Sequence, residues 1–66
     1  MIKWLIIQGG QAIGHHKTKK AAKVEAVKLP EQDYLIVRET WRGPTLYRDL
    51  VNVGGVDIKP QPYLPR

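Results

Sequence analysis

Residues 34–41, YLIVRETW, constrain this chain more than any other stretch. Aromatic and β-branched side chains dominate them, the composition that suits a pleated, half-buried surface. PEQD at 30–33 precedes them and RGPT at 42–45 follows. Proline sets φ in each of these clusters, and aspartate or glycine serves the bend. The stretch therefore reads as a strand with defined ends, and the chain must supply strands to pair with it.

Ile2–Ile7 is compact, apolar and β-branched, ends at Gly9-Gly10, and reads as a second, buried strand. LYRDLVNV at 46–53 reads as the return strand of a hairpin, with Gly54-Gly55 as a tight turn into VDIK. Its rival is a short helix with Pro44 at the first position, Leu46, Leu50 and Val53 on one face, and Gly54 as cap. Residues 8–18 have no periodicity and read as a long loop. Residues 19–29, KKAAKVEAVKL, are rich in helix formers. At about 100° per residue, however, Ala22, Ala26 and Leu29 fall together while Ala21, Val24 and Val27 fall opposite, so no single apolar stripe forms. A strand through Ala22, Val24 and Ala26 followed by a turn competes with a helix that ends before Pro30.

The expected fold is mainly β: a barrel-like or twisted antiparallel sheet of four or five short strands, of SH3-like or OB-like size. The alternative is a small α+β sheet with one helix at about 17–29. Residues 1–59 form one small domain. Residues 60–66, PQPYLPR, hold three of the five prolines and form a tail that runs extended along the surface instead of pairing within a sheet.

Size limits the core. A chain of 66 residues buries only roughly 60% of the surface its unfolded form exposes. Cysteine is absent, which removes disulfides and thiolate metal sites. The longest apolar run, Trp4-Leu5-Ile6-Ile7, is far below the ~20 residues of a membrane span and too short for a secretory core. A cytoplasmic protein without membrane contact is the expectation.

The net charge of +5 is unevenly placed. Residues 1–30 carry six lysines against Glu25 alone, and residues 31–66 carry five basic against five acidic side chains. The whole excess lies in the first half, which favours an anionic partner.

Several chemistries fail on spacing. Gly9 and Gly14 have the separation of a phosphate-binding loop, but His15 stands where the lysine is needed and Lys17-Thr18 arrive two positions late. Glycines at 9, 10 and 14 do not make the dinucleotide fingerprint. His15 and His16 are adjacent, so in a strand they point to opposite faces, and no other histidine can join them at a metal. There is no cysteine or serine nucleophile, and Thr18, Thr40 and Thr45 form no arrangement with a base. No enzyme, cofactor or metal is expected.

Nucleic-acid binding fits better. His15, His16, Lys17, Lys19, Lys20 and Lys23 form a dense basic run suited to phosphate contacts that carry no sequence information. Trp41-Arg42 and Tyr47-Arg48 place arginines beside rings on which bases could stack. A small basic protein that contacts DNA or RNA phosphates through a lysine-rich loop, without sequence specificity of its own, is the first expectation. The alternative is a protein-binding regulator or inhibitor, or a small subunit of a larger assembly, homo-oligomers included. The hairpin 34–53 would then offer an edge strand, and the PxxP spacing of PYLPR a ligand for an aromatic groove.

Overall fold

The stretch 34–41 lies at the centre of the fold. The structure, a computed structural model that describes residues 1–64, contains five antiparallel strands in one open sheet. They are β1 (Ile2–Gln8), β2 (Gln11–His16), β3 (Tyr34–Arg42), β4 (Thr45–Val53) and β5 (Val56–Pro62), in the spatial order β2-β1-β3-β4-β5. One helix, α1 (Lys19–Ala26), joins β2 to β3. The expected small, mainly β sheet is thus realised in its α+β form, as an open sheet and not a closed barrel. No helix among the described residues is long and apolar enough to cross a membrane.

β3 pairs with β1 from Ile2↔Thr40 to Gln8↔Tyr34, and with β4 from Leu35↔Val53 to Arg42↔Thr45. The hairpin 34–53 therefore offers no edge. Both of its strands are interior, and the edges are β2 and β5. The helical alternative for 46–53 fails as well, because those residues are needed to cover the second side of β3.

The expected loop at 8–18 is corrected. Gln11–His16 folds back as β2, from Gln8↔Gln11 to Trp4↔His16. Gly9 and Gly10 make the reversal possible, with φ of +62° and +78° at the two central positions of the turn. That sign at both positions belongs to the hairpin turn whose twist matches its strands, and glycine adopts it without penalty. Gly54-Gly55 repeats the device between β4 and β5, with φ of +58° and +97°. The pairing of β1 with β2 slips between Ile6 and Ile7, which leaves Ile13 out of register and hides the strand's alternation.

Residues 19–29 resolve in favour of the helix. Thr18 caps it, its hydroxyl accepting from the Ala21 backbone N–H at 3.1 Å. Of the two apolar stripes, Ala22 and Ala26 are buried with Leu29 packed beside them, and Val24 and Val27 face solvent. The helix lies on the even-numbered side of β1 and β3, where it meets Ile6, Tyr34, Ile36 and, from β4, Val51. On the opposite face Ile7 and Val37 are also buried, and Tyr63 lies with them and Leu5 around a cavity of about 130 Å³.

The proline-rich stretch is extended but not free of the sheet. β5 continues through Pro60 to Pro62, opposite Asp49, and the Tyr63 N–H donates to the Arg48 carbonyl at 2.9 Å. An edge strand tolerates proline because one side needs no donor. Pro65 and Arg66, which complete the PxxP spacing, lie outside the described residues.

The two outer turns differ in a way that stability can reveal. A Cβ at Gly9 would meet nothing within 4 Å, whereas one at Gly54 would sit 2.7 Å from the Gln32 carbonyl oxygen. Gly9→Ala should cost about 1–2 kcal/mol, the penalty of a left-handed L-residue. Gly54→Ala should cost clearly more, because a backbone atom must also move. Urea denaturation of both variants measures the difference, and equal losses would contradict this account of the turn.

Candidate nucleic-acid interface

Because Ala22 and Ala26 face the sheet, the direction of every other helix side chain is fixed. Lys19 and Lys23, one turn apart, lie on the flank toward β5 and share Asp57. Their Nζ atoms stand 3.3 Å from Oδ1 and 3.0 Å from Oδ2. Glu25 lies on the other flank and pairs with His16 of β2. Gly14 makes room for it, since a Cβ there would be 2.9 Å from Glu25 Oε1. Lys20 points outward with Val24 and Val27.

Asp57 is itself held in place. Asn52 is fully buried, its Nδ2 donates to Asp57 Oδ1 at 2.8 Å, and its Oδ1 accepts from the Gly55 N–H at 2.9 Å. A buried amide with both ends satisfied fixes the turn and the carboxylate together. The Asn52 hydrogen bond first, then those from Lys23 and Lys19, hold the Asp57 carboxyl at about 2 against an ordinary 3.8, opposed by some desolvation.

The basic run of the sequence is therefore divided. Lys19 and Lys23 share the single carboxylate of Asp57, and His16 is engaged by Glu25. Lys17 and Lys20 are exposed and make no ion pair among the described residues. His15 pairs with Leu5 on the face away from the helix, so the two histidines diverge. Among the described residues no group of three His, Cys, Asp or Glu could hold a metal ion.

Strand register then joins the two halves of the expected interface. β1 begins, and β2 and β3 end, on the same side of the sheet. Lys17 follows His16 there, Lys20 lies on the first turn of α1, and the Trp41 N–H donates to the Met1 carbonyl at 3.0 Å. Trp41 is 45% exposed. Arg42 lies over the Tyr47 ring, 5.6 Å from its centroid, so the partner of Tyr47 is Arg42 and not the adjacent Arg48. Arg48 points to the other face and donates from Nε to Glu39 at 3.1 Å. The opposite end of the sheet carries the two double-glycine turns and the acidic residues Glu31 and Asp33, the latter accepting from Gln8 Nε2 at 2.6 Å.

Asn52 and Asp57 were not among the candidate residues. Asp57 is 34 residues from Lys23 in sequence, and only the sheet brings them together. The Arg42–Tyr47 contact had a local signal: the two residues are diagonal neighbours across the Gly43-Pro44 turn, within reach of long side chains.

Replacing Asp57 with asparagine should show two effects. Because the folded pKa lies below the unfolded one, the carboxylate's contribution is complete above about pH 4 and is lost as pH falls toward 2. Urea midpoints of the natural chain and Asp57→Asn should differ at pH 7 and converge toward pH 2; a constant difference would contradict the assignment. The same change frees Lys19 and Lys23, so affinity for a polyanion such as heparin should rise and not fall. No protein-family model matches this chain, and no curated protein or solved structure does either, so its function is read from its own residues and geometry.

Proposed function

We propose that this protein binds nucleic acid through the basic end of its sheet, by phosphate contacts that do not depend on sequence. The observation that carries this reading is that Lys17 and Arg42, with Lys3 nearby on β1, lie at the same end as exposed Trp41 and Tyr47, while Lys20 is exposed on the first turn of α1. None of these four cations has an ion-pair partner among the described residues. Flexible cations supply affinity for phosphate, and exposed rings supply stacking surface. Helix electrostatics supports the reading too. Lys19 and Lys20 occupy the first turn of α1, which has no acidic residue. Cations there oppose the helix dipole at a cost of about 0.3–1 kcal/mol each, whereas a phosphate beside them would meet both the lysines and the dipole favourably.

A second reading, a regulator that docks an acidic partner segment, is favoured by one observation. Val24 and Val27 are 51% and 68% exposed beside Lys20 and Lys23. Apolar contact ringed by lysine suits an acidic amphipathic segment.

Titration of labelled oligonucleotides at several salt concentrations tests the first reading. Four phosphate contacts give a slope of log K against log salt of about −3. Lys17→Ala combined with Lys20→Ala should flatten it by about 1.5 and weaken all base sequences alike. Absence of binding at low salt, or binding insensitive to salt, would remove the nucleic-acid reading and leave the docking one.

A further inference from the structure

The β3–β4 hairpin carries a cleft that joins Arg42 and Tyr47 of the basic end to Arg38, Thr40 and Asp49. Register builds it: Ile2, Thr40 and Tyr47 lie opposite one another on three adjacent strands, and Arg38 lies opposite Asp49 one step further in. Arg38, Thr40 and Arg42 alternate along β3 and so share one face. These six side chains line a cavity of about 270 Å³. That is just under the ~300 Å³ at which small-molecule sites begin, a size for a fragment and not a large ligand.

Its chemistry is mixed in a particular way. Arg38 Nη2 donates to Asp49 at 3.2 Å, which neutralises the carboxylate in the wall. Arg38 Nε is buried and has no hydrogen-bond partner among the described residues, an unusual state for a charged donor. Arg42 covers the Tyr47 ring and makes no ion pair among the described residues, and Tyr47 remains 48% exposed. The cleft thus offers an aromatic face, an unspent guanidinium and a hydroxyl from Thr40.

We infer that this cleft takes one unpaired nucleobase with its phosphate, so that the preferred ligand is single-stranded. The inference rests on the nucleic-acid reading above and names the strand form. The base stacks on Tyr47 beside the Arg42 plane, and the phosphate accepts from Arg42 and from the Thr40 hydroxyl. A duplex keeps its bases stacked inside and can use the cations but not the ring. Trp41, exposed at the same end but on the other face of β3, offers a neighbouring base a second ring.

Fluorescence anisotropy with a labelled single strand of about twelve nucleotides and a hairpin duplex of the same length, at about 50 mM salt, tests this. The natural chain should bind the single strand more tightly. Tyr47→Ala should weaken single-strand binding about tenfold and leave duplex binding nearly unchanged, and Tyr47→Leu, which keeps apolar bulk, should behave the same way. Lys17→Ala with Lys20→Ala should weaken both ligands. Equal effects of the Tyr47 variants on the two ligands, or no effect on either, would overturn the cleft while leaving phosphate binding in place. Failure of the natural chain to bind either oligonucleotide would overturn the nucleic-acid reading itself, and the cleft with it.

Discussion

The close seat of one short helix on the central strands is the contact on which the rest of this structure depends. It is possible because α1 turns alanines toward the sheet. Ala22 and Ala26 are fully buried against Ile6 and Ile36, and larger side chains there would hold the helix away from β1 and β3. Gly14 serves the same end under the helix flank, leaving the space Glu25 occupies. A chain with no disulfide and a small core has little else to hold its layers together.

That contact also decides the electrostatics. Once the alanines point inward, the lysines one turn apart must reach toward β5, and Glu25 toward β2. Asp57 is ready for them because buried Asn52 aims its carboxylate and ties the following turn to it. The cluster that looks uniformly basic in sequence is therefore two groups. One braces the helix to an edge strand, and the other, Lys17 and Lys20, stays free in solvent. Packing made that division, and charge followed.

The sequence was legible where a segment's own residues determine its state. β3 and β1 are β-branched runs with turn residues beyond them, and β4 follows from the Gly54-Gly55 turn. β2 was hidden for a physical reason. Its residues pair on one side only, include Gly14, and lose alternation at Ile13, so the pattern that marks a half-buried strand is absent. The paired glycines before it were the usable signal, since two left-handed positions in a row make a hairpin. The helix was ambiguous because it has a second, solvent-facing apolar stripe at Val24 and Val27. At the candidate interface the lysines and Trp41-Arg42 could be read locally. Their common end, the loss of Lys19 and Lys23 to Asp57, and the cleft between Arg38 and Tyr47 depend on register between strands, which no local pattern contains.

The outcome is a sheet whose two ends differ: Lys17, Arg42 and the exposed rings of Trp41 and Tyr47 lie at one, and the glycine turns with Glu31 and Asp33 at the other. Amide chemical-shift mapping with a short single-stranded oligonucleotide tests that polarity most directly. Lys17, Lys20, Trp41, Arg42 and Tyr47 should shift together in a salt-dependent way, while Gly9, Gly10, Gly54 and Gly55 stay still. Shifts centred on the glycine turns, or spread evenly over both ends, would contradict the account.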